Sequence, residues 1–68
     1  MLKFKITEEQ IEIMRPFIDN VDEIIKLSLN DFLTELNYAI VGELGFNYES
    51  TESSDKLQKL YNEILNQN

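Results

Sequence analysis

The apolar positions begin with a period of two and then settle into helical spacing. Leu2, Phe4 and Ile6 alternate with Lys3 and Lys5, which predicts a short extended arm over residues 1–6. Further on, Ile11, Met14, Ile18, Val21 and Ile25 recur at alternating steps of three and four, and Phe17 and Ile24 widen the stripe. That spacing predicts a helical face turned toward a core. Thr7 marks the start. Thr7 and Gln10 have capping-box spacing, in which each side chain satisfies a free backbone N–H, and Ile6 and Ile11 stand at the staple positions. Glu8 and Glu9 put negative charge at the positive end of the helix dipole. Pro16 interrupts the pattern, because its ring removes an N–H and restricts Arg15 before it. Either one helix kinks there, or one ends near Arg15 and another starts soon after, with Asn20 and Glu23 as a further cap. The stripe keeps its phase across Pro16, so the expectation is a bent, near-continuous helix over residues 8–27.

A second start lies at Ser28, with Asp31 at capping-box spacing and Leu27 and Phe32 as the staple. Leu29, Phe32, Leu33, Leu36, Ala39, Ile40 and Val41 then give a wide apolar face, and a helix is expected over 29–44. Gly45 is the expected stop, in the left-handed conformation that glycine adopts at low cost. Gly42 costs about 1 kcal/mol of helix propensity against alanine, and is expected where a neighbouring helix comes close. Phe46-Asn47-Tyr48-Glu49 alternates again. It either pairs with residues 2–6 as a small two-stranded ribbon or, like the arm, pins an aromatic ring into the core; the second reading is preferred. Residues 47–54 are polar and aperiodic, a loop. Ser53 or Ser54 is expected to cap a last helix over 54–65, carrying Leu57, Leu60, Tyr61, Ile64 and Leu65 inward. Glu52–Lys56, Asp55–Lys59 and Lys59–Glu63 are spaced to pair along its outer face. Asn66-Gln67-Asn68 is expected to fray. These elements describe one mainly α domain over residues 1–68, a small three- to four-helix bundle with an extended N-terminal arm.

At 68 residues, the chain buries only about 60% of the surface that its unfolded form exposes. It has no Cys and no His, so disulfides, zinc sites, iron–sulfur clusters, thiol nucleophiles and His-based triads are excluded. Stability therefore rests on a dense apolar core, on self-association, or on both. Twenty-five of the 68 residues are Leu, Ile, Val, Met or Phe, enough for a monomer core and for a homodimer interface besides. No apolar run approaches the ~18 residues of a membrane span, and Met1 to Lys5 lacks a signal-peptide core. The cytoplasm is the expected compartment.

Charge changes the picture most. The net charge is −7. From Pro16 to Asp55 the chain carries nine acidic residues against the single base Lys26, a net −8 that leaves +1 for the two ends. Such a middle repels phosphate backbones and anionic lipid surfaces, so neither nucleic acid nor membrane is an expected partner. It is either a solubilising surface or a docking face for a basic protein surface. The bases Lys3, Lys5, Arg15, Lys26, Lys56 and Lys59 are scattered among acids, and no helix concentrates them.

With His and Cys absent, carboxylates carry the remaining chemistry. Asp19/Glu23 and Asp31/Glu35 each lie one helical turn apart, a spacing that holds a hard cation or shares a proton in other settings. Asp19-Asn20-Val21-Asp22-Glu23 lacks the glycine and distal glutamate of a calcium loop, and helix-start acids are already explained by capping and the dipole. Gly42 and Gly45 form no phosphate-binding loop. A chain this small is not expected to enclose a catalytic cleft, and neither catalysis nor a metal or cofactor is expected. Tyr38 falls off the apolar stripe of its helix, and Tyr48 lies in a loop beside Phe46. Tyrosine is enriched at partly wet interfaces. The residues expected to meet a partner are Asp31, Glu35, Tyr38, Glu43 and Tyr48.

The segment Gly45-Phe46-Asn47-Tyr48-Glu49, followed by Ser54-Asp55-Lys56-Leu57-Gln58-Lys59-Leu60-Tyr61-Asn62-Glu63-Ile64, resembles the C-terminal part of small uncharacterised accessory proteins of Gram-positive phages and mobile elements. The resemblance implies an accessory role and assigns no functional residue. The expectation is a non-enzymatic acidic protein that docks on a basic partner surface. The alternative is a self-associating homodimer whose acids only keep it in solution.

Overall fold

The computed structural model describes residues 2–68 and is mainly helical, with no strand among the described residues. The α-helices are α1 (Glu8–Met14), α2 (Val21–Ile24), α3 (Leu29–Gly42) and α4 (Glu52–Gln67), and a 3₁₀ turn over Phe46–Tyr48 joins α3 to α4. The radius of gyration is 11.5 Å, close to the ~11 Å of a compact chain of this length.

All four helices feed one core. Met14 comes from α1, Val21 and Ile24 from α2 with Ile25 just after it, Phe32, Leu33, Leu36 and Ile40 from α3, and Leu57, Leu60 and Ile64 from α4. These are the positions that the helical spacing marks. The frame is α3 against α4. The Thr51 hydroxyl at the start of α4 donates to the Glu43 carbonyl at the end of α3, at 2.6 Å. At the opposite end the arm links the two: Phe4 packs on Phe32 with ring centroids 4.7 Å apart, while the Lys5 backbone N–H donates to the Asn68 side chain at 2.7 Å. The two helices are therefore antiparallel.

The expected helix over 8–27 is two helices. Arg15 closes α1 by donating its N–H to the Ile11 carbonyl at 3.2 Å. Pro16 has no N–H to give the Glu12 carbonyl, and its ring crowds that oxygen. The Phe17 and Ile18 amides turn back instead to the Met14 carbonyl, at 2.9 and 3.0 Å, and α2 begins after Asn20, whose side chain makes no cap bond. The apolar stripe is right and its continuity is not: the turn between α1 and α2 delivers Val21, Ile24 and Ile25 to the core without one helix axis. Arg15 bridges the break with ion pairs to Glu12 at 3.0 Å and Asp22 at 3.1 Å. Hydrogen bonds from its guanidinium, to Asp22 first and then to Glu12, hold its pKa above the ordinary range.

Other boundaries also move. The Thr7–Gln10 capping box forms as expected, and Ser28 accepts from the Asp31 backbone N–H at 3.4 Å without a reciprocal bond. For α4 the cap is Thr51 rather than Ser53 or Ser54. Thr51 and Ser54 form a full capping box, with Ser54 inside the first turn and buried. The tail does not fray. Gln67 donates to the Lys5 carbonyl at 2.9 Å and to Gln10 at 2.8 Å, and Asn68 donates to the Lys5 carbonyl at 3.0 Å. Gly42 approaches no neighbouring helix; a methyl there would meet nothing within 4 Å. Gly45 is not left-handed, with φ −81° and ψ −168°. None of the spaced pairs Glu52–Lys56, Asp55–Lys59 and Lys59–Glu63 closes, since both ion pairs among the described residues fall on Arg15. Among the described residues, no helix is long and apolar enough to cross a membrane.

Candidate functional site

Asp31, Glu35 and Tyr38 follow one another at steps of four and three along α3, opposite the buried Leu33, Leu36 and Ile40. The core face of α3 fixes this outer stripe, because helical spacing leaves these positions nowhere to turn but outward. All three side chains are exposed, Tyr38 to 66%. Among the described residues, Asp31 and Glu35 form no ion pair; of the nine acids between Pro16 and Asp55 only Asp22 does. Their charge faces solvent without an internal counter-ion.

Glu43 stands apart from this stripe. It is twelve residues past Asp31, about a third of a turn off the outer face, half-buried, and it caps α3 with its N–H bonded to the Ala39 and Ile40 carbonyls. Tyr48 lies beyond the helix, in the turn that follows. The structure thus brings Asp31, Glu35 and Tyr38 together and puts Tyr48 on a separate element.

That turn is a closed loop. The Gly45 N–H donates to the Glu49 carbonyl at 2.7 Å and the Tyr48 N–H to the Gly45 carbonyl at 3.0 Å. Thr51 packs under it: a methyl on Gly45 would meet the Thr51 side-chain methyl at 3.2 Å. Closing the loop puts Asn47 and Tyr48 in the left-handed region, at φ 60° and 61°. Asparagine tolerates this region; an aromatic residue pays about 1–2 kcal/mol. Neither ring is buried in return. Phe46 is 87% exposed and Tyr48 80%, so only Phe4, of the two aromatic arms expected to pin the core, does so. Sequence reasoning missed the exposure of Phe46. The available signal was its place between Gly45 and Asn47, two residues that favour turns over packed strands.

Among the described residues, four of the six exposed large hydrophobic side chains, Tyr38, Val41, Phe46 and Tyr48, fall within this short stretch from the second half of α3 to the turn. Tyr38 also lines a groove between α3 and α4 with Asn30, Leu33, Thr34, Asn37 and Tyr61. No group of three or more carboxylates is placed to hold a metal ion among the described residues. The surface therefore offers unpaired carboxylates beside exposed aromatic rings. It is equipped for contact with cations and apolar groups. Comparison with family models, curated proteins and solved structures finds no match for this chain.

Proposed function

We propose that this protein is a non-enzymatic accessory or regulatory module that docks the acidic outer face of α3 on a basic surface of a partner protein. The observation that carries the reading is the exposed, unpaired Asp31–Glu35 stripe with Tyr38 beside it. Unpaired charges on one face raise the rate of encounter with an opposite charge and select against like-charged partners. The ring of Tyr38 adds contact area while its hydroxyl stays wet. The −8 middle supports the same reading, since it excludes phosphate backbones and favours arginine- and lysine-rich protein surfaces.

The test is affinity capture on the immobilised chain from a lysate of its native host. Wild type is compared with the variant Asp31→Lys/Glu35→Lys, and folding of both is checked by circular dichroism. The expected result is a captured protein that the variant loses by about tenfold or more. Equal capture by the folded variant contradicts the reading. The homodimer reading draws on the same exposed side chains, Tyr38, Val41, Phe46 and Tyr48. The net charge of −7 opposes it, because two copies brought face to face repel.

A further inference from the structure

We infer that the turn Gly45–Glu49 is an anchor: Phe46 and Tyr48 insert into the apolar face of a basic, amphipathic segment of the partner protein. The inference rests on the docking function proposed above and names the apolar half of that contact. Three observations carry it. First, the two rings are the most exposed large hydrophobics in the described chain, at 87% and 80%. Interface hot spots draw heavily on aromatic residues that desolvate on binding. Second, the loop that presents them is braced rather than slack. The Gly45–Glu49 and Tyr48–Gly45 backbone bonds close it, and the Thr51 hydroxyl ties its base to the end of α3. A braced loop has less conformational freedom to lose on binding. The left-handed Tyr48 has no compensating burial within the chain, and uncompensated strain of this kind gathers at binding sites.

Third, the charge around the rings specifies the occupant. Between Lys26 and Lys56 every charged side chain is acidic; Glu49 closes the turn, and Glu52 and Asp55 follow it. A segment with an apolar stripe bordered by Lys or Arg satisfies both features at once. An acidic segment, a phosphate backbone or a second copy of this chain brings like charge against them.

The experiment uses a defined probe, a leucine–lysine amphipathic helical peptide of about 15 residues, titrated into the full chain at ~150 mM and ~500 mM salt. A leucine–glutamate peptide of the same pattern is the control. The wild type is expected to bind the lysine peptide at both salts and not the glutamate peptide. Phe46→Ala/Tyr48→Ala is expected to weaken binding about tenfold or more at both salts. Both residues lie outside the core, so the variant keeps the fold. Unchanged binding by this variant overturns the anchor, as does failure of the wild type to bind the lysine peptide. Equal binding of the glutamate peptide overturns the assignment of a basic occupant. Asp31→Lys/Glu35→Lys separates the two proposals. If it binds like wild type at ~150 mM salt while the aromatic variant does not, the anchor stands and the α3 face falls. The reverse pattern sinks the anchor alone.

Discussion

Tyr48 concentrates the conflict between local preference and the demands of the loop. Its φ of 61° is one that bulky L-residues avoid, and its ring is 80% exposed. Replacing it by asparagine, which tolerates the left-handed region, removes the strain without opening a cavity. Tyr48→Asn is expected to stabilise the fold by about 0.5–1 kcal/mol, seen as a higher urea midpoint with unchanged slope, while losing the tyrosine ring for docking. A lower midpoint contradicts this assignment of strain. The conformation of Tyr48 is not legible in the sequence, because it follows from the backbone closure between Gly45 and Glu49. The Thr7–Gln10 box is legible, because both partners lie within one helical turn and need nothing from the rest of the chain.

Among the elements, starts read better than stops, and inward faces read better than axes. A start announces itself through a side chain that bonds its own backbone, as at Thr7 and Ser28. At α4, Thr51, Ser53 and Ser54 all carry capping hydroxyls. A contact distant in sequence favours Thr51, whose hydroxyl donates to the Glu43 carbonyl while its oxygen accepts from the Ser54 N–H at 3.0 Å. The break at Pro16 was open to two readings, since the short turn after Arg15 preserves the phase of the apolar stripe. Because Thr51 holds both a helix cap and the base of the loop, Thr51→Ala is expected to cost about 1–2 kcal/mol, measured by denaturant unfolding. Thr51→Ser keeps the hydroxyl and is expected to recover more than half of that loss. If serine is as damaging as alanine, the methyl packing under Gly45 is what matters and the hydrogen bonds are secondary.

On the scale of the whole molecule, the helical bundle and its core were legible in the apolar periodicity, whereas the arm expected to be extended bends at Lys3 and Phe4. The clasp that ties Gln67 and Asn68 to Lys5 was not, because polar tail residues look the same in a sequence whether or not they meet a backbone partner. The candidate site was legible in part. Asp31, Glu35 and Tyr38 sit together because helix geometry places them so. Phe46 stands out only once its failure to reach the core is seen. At this scale the acidic middle is the defining property, and its role as a docking surface is the central claim. The most direct test is the salt dependence of partner capture by the intact chain, at ~150 mM and ~500 mM salt, since exposed charges act over about 10 Å at the lower concentration and far less at the higher. The expected result is a partner retained at low salt and markedly reduced at high salt, with capture weakened about tenfold or more at both when Phe46 and Tyr48 are replaced by alanine. Recovery of this chain alone at both salts, with a solution mass twice that of the 8.0 kDa protomer, would contradict it and leave a self-assembling domain with a solubilising surface.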